Sequence, residues 1–165
     1  MKKLIFIFIL FYFSEKAFCQ YSFTGSASGT MDISSIVNLT VSTPGTITFS
    51  TTSDYLNGIT SLNYTSLAVK SNILWLVEVQ ANAANFTAMG GGASSSMPCT
   101  VLSYRVNGTS AFTTMSTGAQ TLQLGDQGDA SSSGNTFGLD LKFNPGFSYP
   151  GGQYSISLLY TITNQ

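Results

Sequence analysis

The sequence predicts an all-β fold, an antiparallel β-sandwich, and three observations favour it. Hydrophobic residues make up 43% of the 165 residues, which is enough to build a core, whereas charged residues make up only 8%. The helix formers Lys, Glu and Arg are scarce, while Ser, Thr and β-branched residues are abundant. Apolar residues alternate with polar ones at a period of two in short segments that are bounded by turn residues.

The alternation places the predicted strands in order along the chain, at residues 33–41, 46–50, 62–70, 75–81, 101–106, 121–124, 137–143 and 154–163. In the segment 137–143 the odd positions are apolar, so Asp140 and Lys142 are expected to face solvent. The dipeptides Asn57-Gly58 and Asn107-Gly108 are typical of hairpins. Turns are also predicted at Pro-Gly pairs, and longer loops at 90–96 and 125–135.

The N-terminus predicts a secretory signal peptide over residues 1–19, followed by one β-sandwich domain over 20–165. Lys2 and Lys3 precede an apolar run at residues 4–13, and small residues precede a cleavage site between Cys19 and Gln20. A membrane anchor is the first alternative, but the run is shorter than the ~20 residues that a span requires. Lipidation of Cys19 is the second, but the residues before it do not fit a lipobox. We therefore expect a protein that is secreted, at the cell surface or in the periplasm, with no membrane span in the mature chain.

Charge and residue types exclude several function classes. The net charge is −1 and the pI is near 5.0, so no basic surface is expected to bind nucleic acid. The chain has no histidine, which removes Ser-His-Asp catalysis and His-ligated metals. The carboxylates fall in turns or on predicted solvent faces, and Lys70 and Lys142 occupy predicted exposed strand positions. We expect no enzyme activity, no cofactor and no metal.

Three local features have competing interpretations. Asp126, Asp129 and Asn135 could bind calcium, or could form a turn whose Asp side chains bond their own backbone. Trp75 could stack on a sugar, but it shares its face with valines, which predicts a core position. Tyr55 and Tyr149 lie next to turn signals and are candidate glycan contacts. Cleavage after residue 19 would leave Cys99 as the only cysteine; we expect it to be buried, and the alternative is a thiol available for an intermolecular bond.

Two segments resemble secreted bacterial surface proteins. The strand W-L-V-E-V-Q-A at 75–81, followed by Asn85-Phe86, is similar to their W-x-V-x-V-x-A…F pattern. The tail that starts P-G-G-Q-Y at Pro150 and ends Y-T-I-T is similar to their closing strand. Families of this kind include WxL-type surface domains, spore-coat-U proteins and pilin-like proteins. The resemblance implies an immunoglobulin-like or pilin-like sandwich with a non-catalytic surface or adhesion role, although a second W-x-L motif and the pilin cysteine pair are missing.

The C-terminal strand is the candidate assembly strand. The segment 154–163 contains no charge and no proline, which are the usual protections of an edge. Strand addition there, or through residues 20–30, could join a neighbouring subunit; alternatively, this is a central strand that is already paired on both sides. We expect a structural or adhesion protein that contacts itself or other surface proteins, with a glycan-binding, lectin-like module as the alternative. The candidate assembly residues are Tyr154, Ile156, Leu158, Tyr160 and Ile162.

Overall fold

The computed structural model describes residues 30–42 and 45–165. The chain divides into two units, Met1–Ile33 and Ser34–Gln165. Only residues 30–33 of the first unit are described, and they form neither helix nor strand. The predicted signal peptide, its cleavage site between Cys19 and Gln20, and residues 20–29 lie outside the described residues.

The second unit contains all the described secondary structure. One α-helix, α1 (Thr52–Asn57), and one 3-10 helix (Cys99–Val101) accompany the strands. The strands are β1 (Val37–Ser42), β2 (Ile59–Ser71), β3 (Trp75–Ala81), β4 (Thr87–Gly90), β5 (Leu102–Val106), β6 (Thr113–Thr114), β7 (Gln120–Gly125), β8 (Thr136–Phe143), β9 (Gln153–Ser155) and β10 (Leu158–Asn164).

The strands form two main antiparallel sheets. The larger sheet has the order β1-β2-β8-β5-β6 and the smaller one the order β10-β3-β7. The short strands β4 and β9 pair separately as a two-stranded ribbon. The prediction of an all-β antiparallel sandwich is therefore confirmed.

One hydrophobic core lies between the two main sheets. In β3 every second side chain is buried, beginning with Trp75, as the period-two pattern predicted. The larger sheet contributes buried leucines from β2, β5 and β8. The rings of Trp75 and Phe137 stack across the sheets, with centroids 6.3 Å apart and planes 6° apart. Gly125 permits this arrangement, because a Cβ at that position would overlap the Trp75 ring.

The predicted strand at 46–50 is wrong, and a helix that was not predicted follows these residues. Residues 45–50 are irregular and α1 begins immediately after Thr51. The Thr51 hydroxyl accepts from the Asp54 N–H, while the Asp54 carboxylate accepts from the Thr51 N–H at 2.8 Å. This reciprocal capping box stabilises the first turn. Gly58, with φ of 73°, ends the helix, so Asn57-Gly58 is a helix end and not a hairpin.

The predicted strand at 33–41 begins later, at Val37. The Asn72 side chain explains the difference, because its Oδ1 accepts from the Ile36 N–H at 2.7 Å and takes the place of a strand partner. Ile33 and Ile36, which precede the strand, are exposed. In contrast, Asn107-Gly108 does form a turn between β5 and β6, closed by a bond from the Thr109 N–H to the Val106 carbonyl.

The predicted strand at 154–163 is two strands in different sheets. β9 pairs with β4, whereas β10 pairs with β3. Asn82 holds the break between them: its side chain accepts from the Ser157 N–H at 3.1 Å, and its N–H donates to the Ser157 carbonyl at 3.0 Å. The β4–β9 ribbon in turn anchors the glycine-rich loop at 90–96, where the Tyr154 hydroxyl accepts from the Ser94 N–H.

Candidate functional site

The sandwich is open along one side, between β1 and β10. These two edge strands belong to different sheets and lie close together. Among the described residues no backbone hydrogen bond joins them, and each pairs with a partner on one side only. Neither strand contains a charged residue or a proline. We call these two edges, β1 (Val37–Ser42) and β10 (Leu158–Asn164), the open seam.

The opposite side of the sandwich is closed by the segment between β6 and β7. Its backbone bonds both sheets: the Met115 N–H donates to Leu102 of β5, and the Ser116 carbonyl accepts from Ala81 of β3. The Gln120 side chain adds bonds to Thr114 and Ser116. Edge strand β6 has only two residues, and the pairing of β7 with β3 is irregular between Val77 and Glu78. Short and irregular edges resist pairing with another chain, so the open seam is the less protected side.

The candidate assembly residues point toward the core. Each is partly buried and packs against the hydrophobic cluster: Tyr154, Ile156, Leu158, Tyr160 and Ile162. The Tyr160 hydroxyl donates to Thr65 Oγ1 at 3.3 Å across the sandwich. Burial of the Tyr160 side chain raises the pKa of Tyr160. Their side chains therefore do not form a free contact surface. The outer backbone edge of β10 has no strand partner among the described residues, and Leu159, Thr161 and Thr163 of this strand point outward.

A second candidate site lies where two segments, residues 45–58 and 144–152, bring aromatic rings together. Tyr55 of α1 stacks on Phe147 with centroids 5.2 Å apart and planes 22° apart. Phe49 packs on Tyr55 at 5.4 Å. Sequence reasoning singled out Tyr55 but missed Phe49, which fell in the predicted strand 46–50, and Phe147, which comes from a separate segment. We call these three residues the aromatic stack. Tyr149, the other predicted glycan contact, packs against the core instead.

The capped start of α1 positions the ring of Tyr55. Asp54 Oδ2 accepts from the N–H groups of Ser50 and Thr51, at 2.9 and 2.8 Å. These backbone hydrogen bonds lower the pKa of Asp54 below its ordinary value. The carboxylate is thus engaged in fixing the helix start.

Trp75 occupies a core position, and Asp129 of the candidate calcium loop bonds its own turn. Trp75 is completely buried, and its Nε1 donates to the Asp126 carbonyl at 2.8 Å. The Asp129 carboxylate accepts from the side chain and the N–H of Ser131, which lowers the pKa of Asp129. Asn135 is buried, but in the described residues no group of three or more His, Cys, Asp or Glu gathers to hold a metal. The Asp129 side chain therefore bonds its own turn.

Asp140 was predicted to face solvent, and that prediction is wrong. The side chain is fully buried, and its Oδ2 accepts from Arg105 Nε at 2.9 Å. Its Oδ1 accepts from the Asn63 N–H at 2.9 Å and from Asn107 Nδ2 at 2.8 Å. Burial alone raises the pKa, but these donors outweigh it and lower the pKa of Asp140. Asn63 has a φ of 49° within a bulge of β2, so Asp140 holds an irregular backbone in place.

The remaining predicted positions are resolved as follows. Cys99 is buried, as expected, and its thiol approaches the Met115 carbonyl. Lys70 is exposed as predicted, whereas Lys142 is half-buried and not exposed. Among the described residues, no helix has the length and apolarity to cross a membrane.

No protein-family model matches the chain, and no curated protein is recognisably similar to it.

Proposed function

We propose that this chain is an exported, non-catalytic protein of the cell surface, extracellular space or periplasm that acts through protein contacts. The protein acts by self-association along the open seam, and β10 is the assembly strand. The resemblance of residues 75–86 and 150–163 to WxL-type, spore-coat-U and pilin-like surface proteins supports the same role.

The observation that carries this proposal is the pairing state of β10. In an antiparallel sheet, alternate residues of an edge strand direct their N–H and C=O groups away from the single partner. β10 has seven residues, and those groups face no backbone partner among the described residues. Another strand can therefore add to this edge by main-chain hydrogen bonds.

Export is tested first, by the intact mass of the protein after secretion. We expect a chain that begins at Gln20, because the small residues at positions 17 and 19 fit a signal-peptidase site. A mass that retains residues 1–19 would contradict the export step. A mass increased by lipid on Cys19 would place the protein on a membrane by an anchor instead.

Assembly is tested by light scattering of the secreted chain over a concentration series, with two matched variants. Thr161 of β10 and Thr121 of β7 are both exposed, and they flank Glu78 on the same outer face. Thr161→Lys and Thr121→Lys thus place the same charge beside the same carboxylate, on opposite edges of one sheet. Lysine on an edge strand opposes pairing.

We expect the wild type to form ordered oligomers, Thr161→Lys to shift the series toward monomer, and Thr121→Lys to behave as the wild type. Circular dichroism controls for folding. A wild type that is monomeric at every concentration would contradict self-association. Equal effects of the two lysines would assign assembly to overall charge and not to the β10 edge.

Carbohydrate binding is the second candidate function. It is favoured by the aromatic stack, whose rings lie outside the main core and include an exposed one. The stack and the open seam consist of different residues, so the two functions are compatible in one molecule.

A further inference from the structure

One aromatic side chain in the described part of the chain stands out by its exposure. Phe147 is 65% exposed, whereas the other described Phe, Tyr and Trp side chains are buried or half-buried. A phenylalanine has no polar atom, so an exposed ring is stabilised neither by burial nor by a hydrogen bond to water. The exposed face of the ring is therefore accessible to a ligand.

The ring is held in a fixed orientation. One side of it packs on Tyr55, which packs in turn on Phe49. Gly146, in the left-handed region at φ of 61°, follows Pro145 and turns the chain so that Phe147 can reach α1. Offset aromatic pairs of this geometry contribute beyond the area they bury. The platform is therefore organised before any ligand arrives, which reduces the entropic cost of binding.

The two segments that carry the aromatic stack are polar but almost uncharged. The segments that carry the aromatic stack, residues 45–58 and 144–152, contain a single charged residue, Asp54, whose Oδ2 is engaged by backbone N–H groups. They also contain exposed hydroxyl and amide side chains, among them Ser53, Asn57 and Asn144. This chemistry does not favour phosphate, nucleic acid or an anionic lipid headgroup, each of which recruits Lys and Arg.

We infer that Phe147, backed by Tyr55 and Phe49, is the stacking platform of a binding site for a neutral pyranose sugar. A pyranose presents one flat face of C–H groups, which fits a single open aromatic ring, and a rim of hydroxyls, which fits the neighbouring amides and hydroxyls. A protein partner would require a docking surface of roughly 800 Å² on this chain. The inference deepens the second candidate function and does not depend on assembly at the open seam.

The test uses the secreted chain and three neutral oligosaccharides: cellohexaose, chitohexaose and mannohexaose. Saturation-transfer NMR detects binding, and titration of the ¹⁵N-labelled protein gives the affinity. Phe147→Ala removes the ring, and Phe147→Leu retains an apolar side chain without an aromatic face. Met89→Ala is the matched control, because Met89 is similarly exposed, at 62%, but lies on β4 outside the two segments that carry the aromatic stack.

We expect the wild type and Met89→Ala to bind at least one of these sugars, and both Phe147 variants to lose roughly tenfold in affinity. Backbone shifts should concentrate at residues 49–57 and 144–149. Absence of binding to all three sugars would overturn the inference. Full affinity in Phe147→Leu would also overturn it, since apolar contact and not ring stacking would then be responsible.

Phosphatidylcholine vesicles serve as the competing probe. Association with vesicles that is lost in Phe147→Ala, with no sugar binding, would assign the ring to a lipid surface and overturn the inference. Light scattering of Phe147→Ala separates this site from assembly, because we expect its oligomers to match those of the wild type. Failure of sugar binding would therefore leave the assembly proposal intact, and the reverse also holds.

Discussion

Replacing Asp140 with asparagine should destabilise the fold more than any other isosteric change of a carboxylate in the described residues. The carboxylate accepts from Arg105 through Oδ2 and from the Asn63 N–H and Asn107 through Oδ1. In Asp140→Asn the remaining oxygen can satisfy the donors at Oδ1. The new NH₂ group then lies where Oδ2 accepted from Arg105 at 2.9 Å, so that two donors face each other.

The size of the effect follows from burial. Breaking a fully buried ion pair costs about 3–5 kcal/mol, because the other charge is left without compensation. Here the Asp140 side chain is fully buried but that of Arg105 is 23% exposed, and water recovers part of the loss. We therefore expect Asp140→Asn to lower the free energy of unfolding by about 2–3 kcal/mol at pH 7.

The assay is urea unfolding followed by the fluorescence of Trp75, the only tryptophan of the chain. The matched control is Asp126→Asn, the same substitution at an exposed position, where the expected change lies within about 0.5 kcal/mol. A loss below that level for Asp140→Asn would refute the reasoning that the carboxylate holds the β2 bulge.

The pH dependence gives a second check on the same residue. The pKa of Asp140 is lower in the folded chain than the ordinary value of 3.8. The unfolded chain therefore binds this proton more readily, and the stability from Asp140 is present above about pH 4 and is lost as the pH falls through the folded pKa. The difference in unfolding free energy between the wild type and Asp140→Asn should be constant above about pH 5 and should shrink below pH 4. A difference that is unchanged at pH 3 would contradict the assignment.

Three further changes have defined outcomes. Gly125→Ala should cost about 1–3 kcal/mol in urea unfolding, because its Cβ meets the buried Trp75 ring, whereas Gly151→Ala, with open space around it, should be nearly neutral. Thr51→Ala should cost about 1 kcal/mol through loss of the α1 cap, measured in the same way; no loss would show that α1 does not depend on its capping box. The Cys99 thiol should react with Ellman's reagent only after urea unfolds the protein, and rapid reaction of the native chain would contradict its burial.

The strands could be predicted where one face of a sheet is buried. In β3 the alternation of side chains follows directly from burial of one face, so the residues carry the signal themselves. Helix α1 could not be found in this way, because none of its residues is buried and it has no apolar periodicity. Its signal was the Thr51–Asp54 spacing of a capping box, which an analysis of periodicity overlooks.

The contacts of Asp140 and of the aromatic stack escaped prediction for a different reason. Asp140 meets Arg105 and Asn63, which lie 35 and 77 residues away in the sequence, so nothing beside Asp140 reveals that it is buried. The aromatic stack likewise joins two separate segments, and Phe147 is distinguished by its partners and not by its neighbours in sequence. The uncharged composition of β10 was visible in the sequence, but the sheet order was needed to identify it as an edge.

The distribution of the few charges supports assembly at that edge. In the two main sheets the charged residues lie on the inner strands β2, β3, β5 and β8, while the edge strands carry none. Charges on the inner strands cannot oppose the addition of another strand at an edge, so the open seam lacks the usual protection. A strand that adds to β10 must also continue its alternation, in which Tyr160 and Ile162 face the core and Thr161 faces outward. A slip of one residue would turn every side chain of the added strand to the opposite face, so the core fixes the register. We therefore expect pairing at the open seam to give ordered oligomers and not amorphous aggregates.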